Sequence, residues 1–253
     1  MPTGLRNPAV IGRIVAAMAA SEANWAGSLP RQRTLAIANI VVAELRAIGV
    51  TPPAVQVATF PGLAGQFDFG PWTLQVDMGM AIGRVGQTQD EMIAKIAELG
   101  DTVTHEARHC EQWFRMGRLL ASQRRARGLF VDGREICNRL GIDNRAVGDA
   151  AAGAGVMTNA ERLEAEEWYE SVYGGGSGFR EQTFALELNA TGRATGNAWQ
   201  TGAYARYQRG LAEEEDAFGI GTAVQRQYLQ PHPGVNAPQM TRHAPVRRGV
   251  TTY

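Results

Sequence analysis

Residues 104–114 read THEARHCEQWF, and among them His105, Glu106 and His109 are residue types that bind a cation and move a proton. On a helix, residues four apart lie on one face, so the two imidazoles would point together. They could then offer nitrogens to a single cation at about 2.0–2.1 Å each. Glu106 would project about 100° further round the axis. From there it does not join both histidines on the cation, but it reaches a water beside the cation and can take that water's proton as general base. With four histidines in 253 residues, chance supplies only about 0.004 matches to H-E-x-x-H, so the pattern has a cause. The competing explanation is two surface histidines paired with nearby acids, and it leaves the glutamate between them unexplained.

The helix that must carry these residues is expected to start after Gly100, with Asp101 as N-cap, and to run over residues 101–126. Val103, Ala107, Cys110 and Phe114 would form its core-facing stripe, and Arg108, Glu111 and Arg115 its solvated face. The histidines would then sit at the border, where a cleft can reach them.

A catalytic cation takes three protein ligands and keeps one position open. The continuation H-E-x-x-H-x-x-G-x-x-H is absent, because Gln112 and Arg115 stand at the Gly and His positions, and no later E-x-x-x-D occurs. His232 and His243 lie in a proline-rich tail and make poor fixed ligands. Two glutamate-rich helices remain. Residues 158–173 open with a capping box, Thr158 to Glu161, and carry Glu164, Glu166, Glu167 and Glu170, which read as a solvated face. Residues 211–224 present Ala217, Ile220, Gly221 and Val224, continued by Tyr228, as an apolar face. Glu213 and Glu214 flank that face at the helix start while Glu215 points away, and spacing leaves Glu213 and Glu214 as equal candidates.

THEARHCEQ together with YQRGLAEEEDAF resembles the pattern of zincin metallopeptidases of the gluzincin type. Within them it is most similar to small metallopeptidase domains of bacterial toxins, secreted effectors and contractile injection systems. Those pair H-E-x-x-H, often followed by Gln, with a later helix reading roughly L-P-E-E-x-D-A; Ala212 stands here where they often have Pro. The resemblance implies Zn2+ on His105, His109 and Glu214, with Glu106 as general base, and a protein or peptide substrate. It implies a substrate-lining edge strand before the active-site helix, for which residues 71–77 (PWTLQVD) are the candidate. It also implies a donor for the oxyanion, to be sought among Tyr204, Arg206 and Tyr207, and partners such as a secretion apparatus or a cognate immunity protein. Two other functions fit the same motif. One is a zincin-like adaptor module without turnover, bound to secretion machinery. The other is a metal-dependent hydrolase of a non-peptide amide, because H-E-x-x-H specifies how water is activated and not which acyl group is attacked.

The surrounding sequence predicts an α+β fold, a predominantly helical zincin-like domain with a small β-sheet before the active-site helix. One domain over residues 1–229 is expected, followed by a tail of Pro and Arg character over 230–253. Helices occupy 1–50, where Leu35, Ala38, Val41, Val42, Leu45 and Ile48 recur with helical period. The period shifts toward two over 54–80, giving two short strands, VQVATF and FDFGPWTLQVDM, joined by a turn at 62–65. Residues 134–229 return to helical spacing with glycine breaks. YGGGSG at 173–178 lacks the Lys-Ser/Thr of a phosphate loop and reads as a connection.

The 25 basic and 25 acidic residues cancel, which leaves no global field for nucleic acid or a membrane surface. Lys95 is the only lysine, a bias that suits a GC-rich genome. Two cysteines are too few for a disulfide framework. No stretch reaches the roughly 18 apolar residues of a membrane span, and no signal peptide is evident. A cytoplasmic protein is expected, or one secreted by a route that ignores N-terminal signals.

Overall fold

The computed structural model describes residues 3–60, 64–83, 87–175 and 210–236. Helices α1 (Pro8–Trp25) and α2 (Pro30–Ala47) each begin with proline in the first turn, where its missing N–H costs nothing. Strands β1 (Ala54–Ala58), β2 (Gly65–Asp68) and β3 (Thr73–Asp77) follow. Then come α3 (Gln89–Ala126), α4 (Gly133–Leu140), α5 (Arg145–Gly153) and α6 (Asn159–Tyr173). The last described helix, α7, spans Ala212–Leu229. The fold is α+β, mostly helical with one three-stranded sheet. Among the described residues no helix is long and apolar enough to cross a membrane.

The whole assembly is built around α3. Its start is set by Thr88, whose hydroxyl accepts from the Glu91 N–H while the Glu91 carboxylate accepts from the Thr88 N–H. Acids in its first turn and arginines in its last complement the helix dipole. At 38 residues it runs about 57 Å. The expected start at Gly100 is therefore wrong by three turns. Gly100 is an interior residue, and a Cβ there would collide with the Met18 side chain of α1. The glycine marks a helix crossing and not a helix end.

Every residue from Leu99 to Gly117 is buried, because α3 is wrapped by other elements on all sides. Helix α7 packs along it most extensively, with α2, α5, α6 and β2 on the remaining flanks. The expected solvated face of Arg108, Glu111 and Arg115 does not exist; α6, α7 and the segment before α1 cover it. At Gly221 of α7 a Cβ would meet Asp101, with its backbone oxygen only 2.9 Å away, so only glycine permits so close an approach.

The sheet order is β1-β3-β2, with β1 parallel and β2 antiparallel to β3. FDFGPWTLQVDM is thus a hairpin and not one strand, because Gly70 and Pro71 break it. Gly65, expected in a turn, is the first residue of β2. Trp72 closes the hairpin in left-handed conformation at φ 58°, held by its indole N–H donating to the Thr51 carbonyl at 2.9 Å. The resemblance implies that residues 71–77 are a substrate-lining edge strand. Instead β3 is the central strand, paired on both sides, and β2 is the edge strand that lies against α3.

Candidate metal centre

His105 and His109 stand on the stretch of α3 that faces the first turn of α7. Their Nε2 atoms are 3.0 Å apart. Oε2 of Glu214 lies 3.4 Å from Nε2 of His105 and 3.3 Å from that of His109. Three ligand atoms each about 2.0–2.1 Å from one tetrahedral ion would be roughly 3.3 Å from one another. Two of the observed edges match that length and the third, between the imidazoles, is about 0.3 Å shorter. The three residues form a buried group that could hold a metal ion.

The donor chemistry fits as well. Both Glu214 carboxylate oxygens are buried without a well-formed hydrogen bond among the described residues. Such an ionised group is costly unless something positive faces it. Burial would raise the Glu214 carboxyl, but the two imidazoles hold it well below the usual carboxylate range. In return, burial pulls the His109 imidazole down while the Glu214 charge lifts it above its ordinary value. The cluster is self-complementary in charge, and two imidazoles and a carboxylate are zinc-type ligands.

Spacing could not choose between Glu213 and Glu214, and the structure separates them. Leu211 caps α7, and the chain turns so that Glu214 faces the imidazoles while the Glu213 carbonyl accepts from Gln112. Glu213 is buried nearby but offers no atom to the triangle, and Glu215 is exposed as expected. Phe218, one turn after Glu214, sets its ring 4.3 Å from that of His105.

Glu106 points toward the sheet, where its Oε2 accepts the Phe67 N–H of β2 at 2.7 Å. Gly65 makes the approach possible, since a Cβ there would lie 2.7 Å from Thr102 Cγ2 and 3.2 Å from Glu106 Cγ. Burial raises the Glu106 carboxyl above its ordinary range, with the two imidazoles pulling it back. The expected position at a cleft border is not found: His105, Glu106, His109 and Glu214 are each 0–1% exposed.

Behind the triangle lies an ionic cluster that sequence reading assigned to solvent. Arg108 donates to Glu111 Oε2 at 2.5 Å and to Asp216 Oδ2 at 2.7 Å, and its guanidinium lies 4.9 Å from the Trp168 ring. Burial would lower the Arg108 pKa, but Glu111 and Asp216 raise it above its ordinary value. Glu111 also pairs with Arg115 at 2.6 Å and accepts the Leu5 N–H at 3.0 Å. Glu164, expected on a solvated face, is a partner of Arg115 at 2.9 Å.

His232 lies away from the centre, 3.7 Å from Glu22, in keeping with its exclusion as a ligand. His243, Tyr204, Arg206 and Tyr207 lie outside the described residues, as do 176–178 of the glycine-rich run and 237–253 of the tail. Comparison with known proteins adds nothing to this geometry: no family model, no curated protein and no solved structure matches the chain.

Proposed function

We propose that the protein is a zinc metallopeptidase in which His105, His109 and Glu214 hold the ion and Glu106 is the general base. The observation that carries the reading is the triangle of ligand atoms with edges of 3.0, 3.3 and 3.4 Å, set beside a buried glutamate one residue from the first histidine. Zinc bound there would polarise a scissile carbonyl and lower the pKa of a water toward neutrality. Glu106 takes the proton from the attacking water and returns it to the leaving amine. The Phe67 N–H fixes the carboxylate during this traffic, so the base is aimed by the sheet and not by its own rotamer preference. An exported effector acting on proteins is the setting that the motif resemblance suggests, with a secretion apparatus or an immunity protein as partner.

Purified protein should contain about one zinc per chain, and His105→Ala should lose most of it. Glu106→Gln should keep the zinc and lose peptide cleavage by about 100-fold or more. Full cleavage by Glu106→Gln would remove the general base from this account.

One observation favours a second reading. A centre with all four side chains at 0–1% exposure suits a structural ion as well as a catalytic one. In that reading the chain is a silent zincin-like adaptor, and Glu106→Gln leaves partner binding and metal content intact, with no cleavage in either protein.

A further inference from the structure

We propose that Gln112 and Asp216 form a positioning relay that fixes the tautomer of His109 and so presets its Nε2 as a metal ligand; this rests on the metal-binding reading above. Gln112 lies one turn beyond His109 on α3 and is fully buried. Its side-chain nitrogen sits 2.8 Å from the Glu213 carbonyl oxygen and 2.8 Å from Asp216 Oδ2. Both neighbours are acceptors: a carbonyl has no proton, and Asp216 Oδ2 already accepts from the Arg108 guanidinium at 2.7 Å while Oδ1 faces Arg6 at 3.3 Å. The amide can satisfy them only with its NH2 turned their way, which settles the oxygen–nitrogen assignment of the side chain.

The amide oxygen then has one place to go. Oε1 faces His109 Nδ1 at 2.8 Å and can only accept, so Nδ1 must carry a proton. In the neutral ring that leaves the lone pair on Nε2, the atom 3.0 Å from His105 Nε2 and 3.3 Å from Glu214 Oε2. The chain Arg108–Asp216–Gln112–His109 therefore runs in one direction from a buried guanidinium to a ligand atom, each member leaving the next a single choice. Partners of this kind typically change metal affinity about 10–100-fold when removed. The same contacts join the two ligand-bearing helices, since Gln112 is on α3 and both of its acceptors are on α7. Gln112 thus orients His109 and holds the Glu214 turn at the matching height.

The test uses the full chain labelled with 15N-histidine, in metal-free and zinc-loaded forms. Ring nitrogen shifts of metal-free wild type should place the His109 proton on Nδ1, and Gln112→Leu should shift the population toward Nε2–H. Zinc affinity, measured by competition with a chromogenic chelator, should fall about 10–100-fold in Gln112→Leu. Asp216→Asn should cause a smaller fall in the same direction. An Nε2–H tautomer in metal-free wild type overturns the relay. So does a Gln112→Leu protein with zinc affinity within about threefold of wild type. Should Gln112→Leu not fold, the near-isosteric Asp216→Asn carries the test, and unchanged affinity with an unchanged His109 spectrum overturns the proposal. Wild type that shows the Nδ1–H tautomer yet binds no zinc supports the relay while sinking the metallopeptidase reading, so the two failures are distinct.

Discussion

A buried carboxylate is costly unless something positive faces it, and among the described residues Glu214 has only the two imidazoles, at 3.3 and 3.4 Å. A cation held among the three side chains would lower that cost further. The histidine pair and Glu106 were legible because a helix puts residues four apart on one face whatever surrounds it. Glu214 was legible only through motif resemblance, since two adjacent acids in a first turn look alike until the helix is docked. Arg108, Glu111 and Arg115 were misread for a physical reason: arginines and an acid three and four residues apart satisfy one another on an exposed helix just as well. Their burial depends on Asp216, Glu164 and the Leu5 amide, more than 40 residues away in sequence. Arg108→Met should therefore destabilise the protein by about 3 kcal/mol, because Glu111 and Asp216 would each lose a buried guanidinium partner and keep only Arg115 and Arg6. Urea unfolding checks this, and a loss under about 1 kcal/mol would show the cluster to be solvated.

At the scale of elements, capping chemistry and close contacts decide what goes where. The capping box at Thr158 was readable, and it forms: the Glu161 carboxylate accepts from the Thr158 N–H at 2.8 Å and the Thr158 hydroxyl accepts from Glu161 at 3.2 Å. Burial would raise the Glu161 carboxyl, but the Thr158 bonds and Arg118 hold it below its ordinary range. Its folded pKa thus lies below the unfolded one. The stability it contributes is present above about pH 4.3 and is lost as pH falls through the folded value. Unfolding free energy measured from pH 6 down to pH 3 should fall more steeply in wild type than in Glu161→Gln; identical slopes would contradict the assignment. Glycines were the harder signal. Gly100 has the look of a helix stop, and only packing reveals that it and Gly221 are contact points of α1 and α7 on α3. Gly221→Val should push α7 off Asp101, cost about 1–3 kcal/mol and weaken metal binding through Glu214, while a surface change at Gly219 should do neither. Paired thermal melts and zinc titrations read both effects. The sheet was foreseen as a pair of strands, and its register was not, because alternation marks a strand without naming its neighbour.

Across the whole molecule, the fold class followed from periodicity: helical spacing on both sides of a short region of period two. The central burial of α3 did not, since an amphipathic pattern predicts one buried stripe and this helix has none exposed from Leu99 to Gly117. Charged residues on its remaining faces pair with one another and with Glu164 of α6 and Asp216 of α7, and the segment before α1 adds the Leu5 N–H and the Thr3 hydroxyl, so the core is part ionic. A metal held in this centre would bridge α3 and α7 and so favour the folded chain. Zinc at 100 times its dissociation constant should then add about 2.7 kcal/mol to stability, with the gain absent in His109→Ala. The most direct measurement is anomalous scattering at the zinc edge from crystals of zinc-loaded protein. One peak bounded by Nε2 of His105, Nε2 of His109 and the Glu214 carboxylate, about 2.0–2.1 Å from each, is the predicted result. Bound zinc with its peak elsewhere, or those two rings turned away from each other, would contradict it.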